Sequence, residues 1–82
     1  MSDKSIHIQY FAILREQRDM SEETLQTTVN TPRDLYDGLR VKHDFSLDTD
    51  RLRVVVNEEF VEWDATLVDG DRVVFIPPVA GG

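Results

Sequence analysis

Cysteine is absent from this 82-residue chain, and histidine occurs only at His7 and His43. Without thiols there are no disulfide staples, thiolate metal centres or cysteine nucleophiles, so any sulfur the protein handles must sit on another group. Glycine and proline are few, four and three residues, and form neither a glycine-rich phosphate loop nor a linker. Long apolar runs are missing too. The longest uncharged one, Val73 to Ala80, contains two prolines and falls well short of the roughly 20 residues that span a bilayer. The opening residues, Met1-Ser2-Asp3-Lys4, lack the basic-then-apolar pattern of a secretion signal. The expectation is a soluble cytoplasmic protein with no membrane partner. Bases are outnumbered by acids, nine to sixteen, for a net charge of −7. Such a surface repels phosphate backbones, which argues against a nucleic-acid partner. It either serves solubility or suits a partner with a basic docking face, because complementary charge speeds and orients encounter.

What is present is enough for one small domain. At this length folding hides little more than half of the surface of the unfolded chain, leaving no room for a deep substrate cavity. Ile6 to Phe11 alternates apolar and polar positions, the period of a strand, with Ile6, Ile8 and Tyr10 on one face and His7, Gln9 and Phe11 on the other. Ala12 to Arg18 holds helix formers for a turn or two, and β-branched residues make Glu23 to Val29 a second strand, antiparallel to the first. Thr31 as cap, Pro32 in the first turn and Asp34 three residues after the cap start a helix that runs to about Lys42. The polar stretch Asp44 to Asp50 ends it. Leu52 to Val56 is a third strand, and Asn57-Glu58-Glu59 turns the chain into a short partner at Phe60 to Trp63. Asp69-Gly70-Asp71 leads into the last strand, Arg72 to Ile76, whose apolar character on both faces suits a central position. Pro77-Pro78 must end it, since neither can donate to a ladder. The predicted class is α+β: a mixed sheet of about five strands, one main helix on one face, and the first and last strands side by side at the centre. Residues 1–76 form the domain and residues 77–82 an extended, flexible tail.

Catalytic constellations are missing. Glu58, Glu59, Glu62 and Asp64 lie in a hairpin as solvated acids, Asp69 and Asp71 flank a turn glycine, and no metal site or bound cofactor is expected. The tail is the remaining feature. A terminal carboxyl has a pKa of about 3.5 and is an unreactive carboxylate at neutral pH; an acyl-adenylate made with ATP is the biological way to activate it. An enzyme performing that step would enclose the terminus in a narrow channel, which glycines fit because they lack a β-carbon. Small residues commonly end chains without any such role.

Tyr10-Phe11-Ala12 with Arg15-Glu16, Asn57-Glu58-Glu59-Phe60-Val61, Asp69-Gly70-Asp71-Arg72-Val73 and the ending Pro77-Pro78-Val79-Ala80-Gly81-Gly82 occur in this order along the chain. Together they resemble the small subunit of molybdopterin synthase, most specifically at the Pro-Pro-Val-x-Gly-Gly end. The resemblance implies a ubiquitin-like β-grasp fold and a sulfur carrier. An E1-like enzyme would adenylate Gly82 with ATP, and a sulfur donor protein would convert it to a thiocarboxylate. Pro78, Val79, Ala80 and Gly81 would then lie in the active site of the large synthase subunit, where the sulfur helps build the dithiolene of molybdopterin. Two small and two large subunits would form the synthase, with the catalytic residues in the partner. Carriers for thiamine, tRNA thiolation or cysteine synthesis also end in Gly-Gly, and a ubiquitin-like modifier joined through Gly82 to lysines uses the same adenylate. Periodicity places Phe11, Val74 and Ile76 on the sheet face away from the helix, with Phe60 from the hairpin. These residues, together with Pro77, are the expected partner interface.

Overall fold

The computed structural model describes residues 3–78. Strand β1 (Lys4–Tyr10) buries Ile6, Ile8 and Tyr10 and turns His7 and Gln9 outward, so the period-two pattern governs its facing. Phe11 follows it in an extended conformation, and Ala12 takes a positive φ of 52°, which reverses the chain directly into the short helix α1 (Ala12–Arg18). The small side chain of Ala12 limits the clash that such a backbone brings. Helix α1 ends on Asp19 in the left-handed region, whose N–H donates to the Arg15 carbonyl. Strand β2 (Glu22–Thr27) then returns antiparallel to β1 with Ile6 opposite Leu25.

Helix α2 (Pro32–His43) begins as its sequence dictates. The Thr31 hydroxyl accepts from the Asp34 N–H at 3.1 Å, Pro32 occupies the first turn, and Asp34 lies against the positive end of the helix dipole. It ends at Asp44, left-handed at φ 58°. Strand β3 (Arg53–Val56) follows a single 3-10 turn at Thr49–Arg51. It pairs antiparallel with β4 (Glu59–Val61) through a two-residue turn, Asn57-Glu58, with φ of 51° and 73°. Strand β5 (Arg72–Ile76) closes the sheet, parallel to β1 and antiparallel to β3, giving the order β2-β1-β5-β3-β4. The expected central position of β5 and its contact with β1 are both found. A mixed sheet with one main helix across it is the ubiquitin-like β-grasp arrangement.

The core lies between the sheet and α2. Ile6, Ile8, Tyr10, Val54, Val73 and Phe75 come from the sheet, and Leu35, Tyr36 and Leu39 from the helix. Aromatic rings bind the layers: Tyr36 packs edge-on to Phe75 at 5.1 Å between centroids and stacks on Phe45 at 5.8 Å. Phe45 corrects the reading of Asp44 to Asp50 as merely polar, because its ring is 3% exposed and Leu47 also packs against the core. The buried hydroxyls are satisfied. Tyr36 Oη donates to the Leu47 carbonyl, and Tyr10 Oη to Glu23 Oε2, each at 2.6 Å. Arg18 grips the same Glu23 carboxylate through two bonds of 2.9 and 3.0 Å.

Candidate functional site

Side chains at paired positions of neighbouring strands share a sheet face, so the pairing register defines the surface opposite α2. One row runs Gln9, Val74, Val55, Phe60 across β1, β5, β3 and β4. The next row pairs Ile76 with Arg53, whose guanidinium carbon lies 4.9 Å from the Phe60 ring centroid. Phe60 is 63% exposed, while Val74 and Ile76 are half-buried among their neighbours. The expected facing of β5 is therefore found, with Val73 and Phe75 fully buried beneath α2 and Val74 and Ile76 turned away from it.

Phe11 differs in its setting. It stands beyond the last residue of β1 and serves as the N-cap residue of α1, without a side-chain cap, and is 41% exposed. Because Tyr10 is opposite Phe75, Phe11 is level with Ile76, at the end of the sheet where Pro77 and Pro78 leave β5. Pro77 is half-buried and Pro78 exposed. The structure thus gathers Phe11, Phe60, Val74, Ile76 and Pro77 toward the end of the molecule from which the tail departs. The remaining site residues read from the sequence, Val79, Ala80, Gly81 and Gly82, lie outside the described residues.

The other half of this face is polar. His7 Nε2 is 2.7 Å from Glu22 Oε1, and His7 Nδ1 is 3.3 Å from Thr24 Oγ1. Nothing in the order of residues points to that pair, since fifteen residues separate its members and only the β1–β2 register joins them. The turn acids are structural. Asp69 Oδ1 accepts from the Ser5 N–H at 2.7 Å, while the buried Asp71 accepts from the Val68 N–H and from Asn57 Nδ2 at 2.8 and 2.9 Å. Among the described residues no group of three or more His, Cys, Asp or Glu is placed to hold a metal ion, and no helix is long and apolar enough to cross a membrane. The described residues thus form a partly exposed apolar face beside the end of β5.

Among solved structures, the chain is similar to molybdopterin converting factor subunit 1 of Pyrococcus furiosus, with 29% identity and a TM-score of 0.76 over 93% of this chain and 99% of that one. SAMP1 of Haloferax volcanii, a small archaeal modifier protein, superposes with a TM-score of 0.77 at 25% identity, covering 95% of this chain and 99% of the other. The molybdopterin synthase sulfur carrier subunit of Escherichia coli is 46% identical over 37 residues, 45% of this chain and 46% of that protein, so the match spans less than half of the relative's length. The ThiS family profile matches residues 8–82, from the middle of β1 through the final glycine. This chain belongs to the ThiS family.

Proposed function

We propose that the protein is a sulfur carrier whose reactive group is the α-carboxylate of Gly82. The observation that carries this reading is the family match, which continues without a break from the β-grasp core to the terminal Gly81-Gly82. In the reaction, a Gly82 carboxylate oxygen attacks the α-phosphate of ATP on an E1-like enzyme, forming a mixed anhydride and releasing pyrophosphate. Sulfide released by a sulfur donor then attacks the carbonyl and displaces AMP, leaving a thiocarboxylate. The likeness to proteins named as molybdopterin synthase and converting-factor subunits favours the large synthase subunit as the receiver, with the dithiolene of molybdopterin as the destination of the sulfur. Two small and two large subunits would make up that synthase. The fold's part is delivery. The central strand β5 passes directly into Pro77 and Pro78, and the open face beside it gives the partner a fixed surface to grip.

ATP–pyrophosphate exchange with the cognate activating enzyme tests this reading. A chain extended by a short tag after Gly82 is expected to melt like the wild type and to support no exchange. A tagged chain that retains full exchange and thiocarboxylate formation would overturn the proposal. Deleting Gly82 withdraws the terminus by about 3.5 Å, and misplacement of an ångström can cost on the order of a hundredfold, so exchange should fall at least that far.

The similarity to SAMP1 favours one second reading, a modifier joined through Gly82 to lysine amines. Mass spectrometry of the protein from its native host separates the two. Replacement of a terminal oxygen by sulfur supports the carrier, and Gly82-linked lysine conjugates support the modifier. Delivery to thiamine, tRNA thiolation or cysteine synthesis would show the same thiocarboxylate without a complex with the large synthase subunit.

A further inference from the structure

The half of the open face formed by β5, β3 and β4 is charged oppositely to the chain as a whole. Its outward strand positions are Arg72, Val74 and Ile76 on β5, Arg53 and Val55 on β3, and Phe60 on β4. Two guanidiniums are the only charged groups among these six, in a protein with a net charge of −7. Of the strand acids, Glu59 and Glu23 are opposite Val56 and Ile8 on the helix side, and Glu22 is on the open face but is taken up by His7, the β1 neighbour of Arg72. Glu62, just after β4, continues the β3–β4 register opposite Arg53 and lines the same groove as Arg53 and Phe60, without pairing to the guanidinium. Among the described residues neither Arg53 nor Arg72 forms an ion pair. Arg53 rests over the Phe60 ring, a contact that holds a guanidinium in place without neutralising it.

Docking of the apolar row Val74, Val55, Phe60 must take both guanidiniums at least partly out of water, and a buried charge left without a partner is strongly unfavourable. Bulk acidity does not offset this. At physiological ionic strength the Debye length is about 8 Å, so acids on the far side of the domain are largely screened at the contact. We infer that Arg53 and Arg72 select the partner: its docking face is apolar at the centre and presents acidic side chains opposite these two arginines. This is the reverse of the basic docking face that net charge alone suggests. The inference rests on the carrier reading in taking this half-face as the surface that meets the large synthase subunit.

Association kinetics with the large subunit encoded by the same genome provide the test, using wild type, Arg53→Glu, Arg72→Glu, Arg72→Gln and Phe60→Ala. Each reversal to glutamate is expected to weaken binding at least about tenfold, chiefly through the association rate, with a smaller effect at high salt and unchanged melting. Arg72→Gln should fall between wild type and Arg72→Glu. The guanidinium over the Phe60 ring is that of Arg53, and Arg72 stands in another row of the sheet opposite His7, so its variants report charge while leaving the Arg53–Phe60 contact in place. Glutamate variants that bind as tightly as wild type, or more tightly, overturn the inference. If they do so while Phe60→Ala weakens binding, the docking face and the carrier reading stand and the charge selection alone falls. A wild-type protein that does not bind the large subunit overturns both.

Discussion

At the scale of single residues, Gly38 is the least explained part of α2. It has no positive φ, and a β-carbon built on it would meet nothing within 4 Å. Neither backbone conformation nor close packing requires glycine, which costs a helix interior about 1 kcal/mol relative to alanine. Gly38→Ala should therefore stabilise the protein by up to about that amount in urea denaturation. Glu23 acts in the opposite way. Two hydrogen bonds from Arg18 hold its carboxyl below the ordinary value, against the upward pull of burial, and the Tyr10 hydroxyl adds to the lowering. A carboxyl depressed by folding contributes stability that is complete above its unfolded value, near 4.5, and is lost as pH falls below that. Glu23→Gln is expected to flatten the acid limb of the stability–pH profile; a limb as steep as that of the wild type would show that other carboxylates set it. Phe45 shows where sequence reasoning stopped. Phe45 and Leu47 alternate with polar residues over too short a stretch to mark an element, and the packing of Phe45 against the rings of Tyr10 and Tyr36 is what makes it core. Phe45→Ala should cost roughly 3–5 kcal/mol.

At the scale of elements, legibility followed how local the determining chemistry was. Helix α2 could be placed because Thr31, Pro32 and Asp34 carry its start within four residues. Strands β1 and β5 were legible in facing as well as position because alternation is a local signal. Boundaries set by distant pairing were less so. The expected strand Phe60 to Trp63 is found as Glu59–Val61, since Trp63 leaves the ladder to stack on Phe75 at 6.1 Å. The turn before it makes a sharp prediction. Both central residues have positive φ, as a type I′ hairpin needs, and glycine is favoured at the second of them. Glu58→Gly should stabilise by roughly 0.5–1 kcal/mol, by relief of the left-handed backbone. Asn57→Ala should destabilise, because the Asn57 side chain accepts from the Arg72 N–H and donates to the buried Asp71. Thermal melts of the two variants shifting in the same direction would contradict this account of the turn.

At the scale of the whole molecule, two faces of one sheet are committed to different tasks. The helix-covered face carries stability. On the proposed carrier reading the open face presents Phe60 and Ile76 to a partner, and covering one such side chain is worth roughly 1.5–3 kcal/mol. Phe60→Ala and Ile76→Ala should accordingly weaken association with the large subunit more than they lower the melting temperature; a variant that melts far below wild type yet binds normally would make that residue core. The sheet's connectivity also has a kinetic side. His7 and Arg72, paired in the parallel β1–β5 ladder, are about 65 residues apart in sequence, and closing a loop of that size costs on the order of 4 kcal/mol in chain entropy before any contact repays it. The β3–β4, β3–β5 and β1–β2 pairs close far shorter loops, so the β1–β5 ladder is expected to form last. In folding and unfolding rates, Val73→Ala should then act chiefly by speeding unfolding, whereas Val54→Ala should slow folding. A partner that grips the outer face where β5 lies beside β1 therefore touches the last-formed ladder, and recognises only chains whose folding is already finished.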